Sequence, residues 1–167
     1  THTSGFGYPF FSKKLNNYMT ENFSLTNLSG IESYEIAMNL PRLFEPGTQF
    51  LYGTNTDWVG RLIEKISDMN LNDYFKQKII DPLNLNHTFF NVPKKLETKM
   101  SPCFQKENNE FHIINEISSQ ENNLFSGGGG LKGSANDYLR LLQCLLNSGE
   151  LDGSIILSRK SVDLLFK

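Results

Sequence analysis

The sequence predicts a mainly helical chain, and three observations carry that reading. Trp58, Val59, Leu62, Ile63 and Ile66 form an i, i+1, i+4, i+5, i+8 stripe over residues 56–68. Tyr138, Leu139, Leu141, Leu142, Leu145 and Leu146 repeat the same period up to Gly149. Little of the chain alternates apolar and polar residues as a half-buried strand must.

Taken in order, residues 1–11 are rich in glycine and aromatics and read as loop. Residues 12–21 and 33–40 are short helical segments; in the second, Tyr34, Ala37, Met38 and Leu40 share a face. Pro41 and then Glu45-Pro46-Gly47 end that run, because proline lacks an amide proton and glycine permits a turn. On the helix over 56–68, Arg61, Glu64 and Lys65 take the face opposite the apolar stripe. Asn70 or Asn72 can cap the next helix, which runs through Ile80 until Asp81-Pro82 stops it. Phe104 and Phe111-His112-Ile113-Ile114 read as short strands. Ser134-Ala135-Asn136-Asp137 is a Ser-x-x-Asp helix start, and Gly149 is the expected C′ glycine of that helix. Ser158 caps a last helix.

Composition removes several classes of function. The 167 residues carry 16 basic and 18 acidic side chains, a net charge of −2 with no global attraction to nucleic acid or anionic membrane. Aromatics at 12% argue against a disordered chain. No apolar run is long enough to span a bilayer. Cys103 and Cys144 lie 41 residues apart, outside any CxxC pattern; two buried free thiols are the simpler reading and a disulfide the alternative.

Several chemistries are removed by motifs that the chain lacks. His2, His87 and His112 are far apart and outside any metal-ligand spacing, so no metal or cofactor is implied. No G-x-S-x-G elbow is present. The run Gly127-Gly128-Gly129-Gly130-Leu131-Lys132-Gly133-Ser134 is not a nucleotide loop, because that loop needs lysine directly after its last glycine. Four consecutive glycines cost backbone entropy, so they mark either close approach to a ligand or chain segment, or a flexible turn. Ser134-Ala135-Asn136 matches an S-x-N pattern, but its place before Asp137 makes a helix cap the better reading.

The most informative segment is Leu43-Phe44-Glu45-Pro46-Gly47-Thr48, followed by Tyr52, Asp57, Gly60 and Arg61-Leu62-Ile63-Glu64. Asp81-Pro82-Leu83-Asn84-Leu85-Asn86-His87-Thr88 follows, then Gly127 through Leu131 with Ser134 and Asp137-Tyr138-Leu139, then Leu151-Asp152-Gly153 with Ile156-Leu157-Ser158. Thr1-His2-Thr3-Ser4-Gly5 precedes them all. In this order the blocks resemble the serine β-lactamase-like family of class C β-lactamases, penicillin-binding DD-peptidases and carboxylesterases. The resemblance spans nearly the whole chain.

It implies an α/β fold of which this chain is an internal piece, the helical subdomain with adjoining loops. It also implies acyl transfer by a serine in S-x-x-K, assisted by a tyrosine. Lysine charge beside a phenol favours the phenolate, which can take the serine proton and return it to the leaving group. Tyr52 is then the catalytic candidate, Thr54 a substrate-pocket contact, and Gly128 and Gly129 lining residues. Thr54 stands where the family's motif usually has asparagine, with Asn55 one place later; this departure tilts the expectation toward ester or other acyl substrates. No serine has lysine three places on, and no Lys-Thr-Gly, Lys-Ser-Gly or His-x-Gly occurs. The chain begins with Thr1, so the nucleophile is expected upstream of it and the last motif beyond Lys167. Over 1–167 the expectation is therefore a partial β-lactamase-related domain, inactive by itself, whose parent acts on a small acyl ester, amide or β-lactam. The alternative is a non-catalytic homologue or helical interaction module. A periplasmic or secreted location fits if the source is bacterial, and nothing in the sequence assigns an oligomeric state.

Overall fold

A computed structural model describes residues 1–23, 30–114 and 123–166. The chain forms two compact units, Thr1–Leu71 with Leu124–Gly130, and Asn72–Asn123 with Leu131–Lys167.

In the first unit a 3-10 turn at Pro9–Phe11 leads into α1 (Lys13–Asn22). Ser12 caps α1, its Oγ accepting from the Leu15 amide at 3.3 Å. α2 (Gly30–Met38) and α3 (Asn55–Ser67) follow. The N-terminal segment is tied to the segment before α3 by backbone bonds. Leu43 donates to Gly5 at 3.0 Å, Gly47 to Thr3 at 2.7 Å, and Leu51 to His2 at 2.9 Å. Leu15, Met38, Leu40 and Leu71 are the buried aliphatics of this unit.

α3 falls within one residue of its expected span, but its burial departs from the amphipathic expectation. Its buried residues are Asp57 and Gly60, whereas Leu62 is 57% and Ile66 77% exposed. A helix is packed by the face that has neighbours. In this chain the neighbour of α3 is the glycine run, which demands a small residue at Gly60 and a hydrogen-bond acceptor at Asp57.

The second unit holds α4 (Leu71–Phe75) from Asn72 onward, which continues as a π turn over Lys76–Ile80. Its core gathers Leu83, Leu85 and Cys144, with Ile79, Ile80, Leu141, Leu151 and Ile156 against them. After the short α5 (Lys94–Glu97), β1 (Cys103–Glu107) and β2 (Glu110–Ile114) make a hairpin in the expected region. Asn108 and Asn109, at φ 48° and 71°, supply the two left-handed residues of a two-residue turn, and Glu107 faces Glu110 across it. Cys103 lies exposed on β1 and Cys144 is buried; both are free. The expectation of two buried thiols thus holds for Cys144 and is corrected for Cys103, whose hairpin has no layer over it among the described residues.

α6 (Ala135–Leu146) starts as the Ser-x-x-Asp pattern predicts, Ser134 Oγ accepting from the Asp137 amide at 3.2 Å. Its C-terminus is a Schellman motif: Gly149 N–H reaches Cys144 O at 2.9 Å and Ser148 N–H reaches Leu145 O at 3.0 Å. Ser148, at φ 61°, takes the C′ position expected for Gly149, which sits one residue later at φ 97°. The helix therefore ends one residue earlier than its sequence signal. β3 (Glu150–Leu151) and β4 (Ser154–Ile155) turn at Asp152-Gly153, and Ser158 caps α7 (Arg159–Leu165). Among the described residues no helix is long and apolar enough to cross a membrane.

Candidate active site

Tyr52, Thr54, Gly128 and Gly129 all belong to the first unit. Tyr52 lies two residues before the α3 N-cap and is 49% exposed. Its ring is bracketed by three others: His2 at 4.6 Å, Tyr8 at 5.6 Å and Phe11 at 5.8 Å between centroids. Rings at these distances and tilts attract through their quadrupoles and fix the orientation of the phenol. His2 is fastened to the same segment. Its Nδ1 accepts from the Gly53 amide at 3.4 Å, and its backbone is left-handed at φ 54°.

Thr54 is the α3 N-cap residue, 2% exposed, and its Oγ1 makes no hydrogen bond among the described residues. Asn55 is committed within the protein: its Oδ1 accepts from Ser4 Oγ at 2.5 Å, and its Nδ2 donates to Phe6 O at 3.2 Å. The amide that the motif places one residue late therefore ties α3 to the N-terminal segment. A cavity of about 410 Å³ adjoins that tie, lined by His2, Ser4, Phe6, Asn55 and Trp58 among others.

The glycine run is explained by α3. A Cβ on Gly128 would lie 2.5 Å from Asp57 Oδ2, and one on Gly127 would collide with the Thr56 carbonyl. Gly129 meets nothing within 4 Å. Close approach to a chain segment thus accounts for Gly127 and Gly128, while Gly129 faces open space.

Asp57 is the residue whose role the sequence did not show. It is buried in the first turn of α3, where the helix N-terminus favours a carboxylate. Oδ1 accepts from Ser126 Oγ and from the Gly128 amide at 3.0 Å; Oδ2 accepts from the Tyr8 hydroxyl at 3.2 Å. Burial first, and then the Asp57 charge, push the Tyr8 phenol up to about 12. Burial, followed by the same charge, does the same to Tyr34, whose ring lies 5.5 Å from the Arg61 guanidinium. The signal available in the sequence was an acid and a glycine three apart, Asp57 and Gly60, which share a helix face.

A stability prediction follows from these two phenols. Unfolded tyrosines ionise near pH 10, so between pH 10 and 12 the folded state holds protons that the unfolded state has lost. Stability is expected to be insensitive to these groups below pH 10 and to fall as pH rises toward 12. Denaturant unfolding across that range tests it. Tyr8→Phe should flatten the fall, and an equally steep fall in that variant would contradict the assignment.

Among the described residues no group of three or more His, Cys, Asp or Glu side chains is gathered to hold a metal. What the site offers is an exposed phenol held by rings, two residues before the N-cap of a helix whose first turn anchors the glycine run.

Comparison with known proteins places the chain in a family. The profile of the family described as Beta-lactamase matches residues 1–166, and the chain belongs to that family. It is 27% identical to ML-236A carboxylate methylbutanoyltransferase mlcH of Penicillium citrinum, over 100% of this chain and 40% of that protein. It is 26% identical to lovastatin esterase of Penicillium rubens, over 100% of this chain and 42% of that protein. In fold it is similar to simvastatin synthase LovD of Aspergillus terreus (LovD6 mutant), with a TM-score of 0.81 and 24% identity, covering 100% of this chain and 38% of that one. The chain thus spans about 40% of the length of the curated relatives it matches.

Proposed function

We propose that the chain is the tyrosine-bearing part of a serine acyl-enzyme that transfers an acyl group from an ester, amide or β-lactam to water or an alcohol. The observation that carries this reading is Tyr52, half-exposed and clamped by His2, Tyr8 and Phe11 within the segment that resembles the family's tyrosine motif. Support also comes from the relatives, one described as a methylbutanoyltransferase and one as an esterase.

In the reaction we assign, a serine Oγ attacks the acyl carbonyl and its proton passes to the base at Tyr52. The same phenol then returns a proton to the departing oxygen or nitrogen. Water or an alcohol repeats the sequence on the acyl-enzyme. The serine and its lysine stand in an S-x-x-K upstream of Thr1, and the K-T-G or H-x-G element lies beyond Lys167. Residues 1–167 are then a partial domain, and the exposed stripe of α3 supports that reading, since a face carrying Leu62 and Ile66 gains by being covered. Gly129 is the lining residue with room beside it. Gly128 gives its amide to Asp57 and enters the site by shaping the loop, and Thr54 contacts substrate only if its buried hydroxyl is uncovered.

The test compares two proteins. The purified 167-residue chain is expected to show no steady turnover of nitrocefin or a p-nitrophenyl ester, whereas the full-length gene product turns over at least one of them. Steady turnover by the chain alone, or an upstream sequence without S-x-x-K, would overturn the reading.

A further inference from the structure

We propose that Asp57 is a positioning residue for the Tyr52 site: its carboxylate fastens the start of the glycine run and the Tyr8 phenol to the first turn of α3, and so fixes what stands beside Tyr52. The proposal rests on the reading of Tyr52 as the acid–base group. Three donors converge on this one side chain from parts of the chain 49 to 71 residues away, namely Tyr8, Ser126 and the Gly128 amide. Each oxygen has its own task. Oδ1 receives both donors of the glycine run and Oδ2 receives Tyr8.

Tyr8 is in turn one of the rings that bracket Tyr52, and it also stacks on Phe10 at 4.9 Å. An error in Asp57 is thereby passed to Tyr52 through one intervening ring. At the glycine run the contact is too close for any side chain, since even a methyl on Gly128 would overlap the carboxylate. Charge-assisted hydrogen bonds are about twice as strong as neutral ones, which suits a carboxylate to holding a loop that has no side chains of its own. The Tyr8 phenol, pushed up to about 12, remains a donor to Asp57 throughout the neutral range. Asp57 itself is 2% exposed, so it acts on the reaction only through these groups.

The experiment uses the full-length gene product with an activated ester, and measures kcat, KM and melting temperature for each variant. Asp57→Ala is expected to lower kcat about 10- to 100-fold with KM changed less than about twofold, the pattern of a displaced reacting group. Asp57→Asn keeps an acceptor at Oδ1 and should restore kcat to within about threefold of wild type. Ser126→Ala removes one donor without adding bulk and should lower kcat about three- to tenfold, yet add nothing on top of Asp57→Ala, because both break one tie.

If Asp57→Ala fails to fold, the Ser126→Ala result decides alone. Wild-type kcat in Ser126→Ala, an Asn variant as impaired as the Ala variant, or fully multiplicative effects would each overturn the proposal. Tyr52→Phe is assayed beside them. If it alone retains full activity, the Tyr52 reading fails; if it is inactive while Asp57→Ala and Ser126→Ala keep wild-type kcat, only the role of Asp57 fails.

Discussion

Tyr52→Phe in the full-length gene product is expected to lower kcat/KM for an activated ester by at least about a hundredfold, the lower end of what a positioned acid–base group contributes. The substitution keeps the ring and therefore the contacts with His2, Tyr8 and Phe11, and it removes only the hydroxyl. Stability should change little, because Tyr52 is half-exposed. The loss should appear in both acylation and deacylation, since the same phenol takes the proton from each attacking oxygen. Restoring activity with a better leaving group would point to the protonation step, because a leaving group that needs no proton bypasses it. Wild-type turnover in Tyr52→Phe would remove Tyr52 from the chemistry.

The second large effect is on stability and lies in the other unit. Asp137→Ala is expected to cost about 3 kcal/mol, because it strands two donors at about 1–3 kcal/mol each. The Asp137 carboxylate is buried and accepts from the His87 amide and from Thr88 Oγ1, both at 2.7 Å. Its charge also sits in the first turn of α6, where the helix N-terminus favours it. Ser134→Ala, which removes only the cap of the same helix, should cost about 1 kcal/mol. The order of the two separates a buried anchor from a surface cap. Urea unfolding followed by circular dichroism measures both, and a Ser134→Ala cost equal to or larger than that of Asp137→Ala would contradict the account.

Much of the helical framework was legible because short side-chain patterns encode it directly. Ser134 and Ser158 each precede a helix that they cap, and Asp81-Pro82 stands where the π turn after α4 ends. What periodicity could not give was the buried face of α3. An apolar stripe reports what a helix would bury against a large partner, whereas Asp57 and Gly60 report what it buries against the glycine run. The second kind of contact pairs residues about 70 apart and leaves no local pattern.

The site shows the same division. Tyr52 is nominated by the resemblance of the run before it to a family motif, and its chemical role is a proposal; four glycines in a row were legible as needing a cause. That Gly127 and Gly128 are packed on α3 while Gly129 is open depends on which neighbour each meets in space. Asn55 was legible as displaced from its usual place, but its partners Ser4 and Phe6 lie some fifty residues earlier in the chain.

The central claim is that this chain supplies a tyrosine to a serine carried elsewhere in the same gene product. Trapping that product with a slowly released acyl ester, then mapping the adduct by peptide mass spectrometry, tests it most directly. The account predicts one acyl group on a serine outside residues 1–167, within S-x-x-K, formed at least about a hundredfold more slowly in Tyr52→Phe. An adduct on a residue inside 1–167, or one formed at the wild-type rate without the Tyr52 hydroxyl, would contradict it.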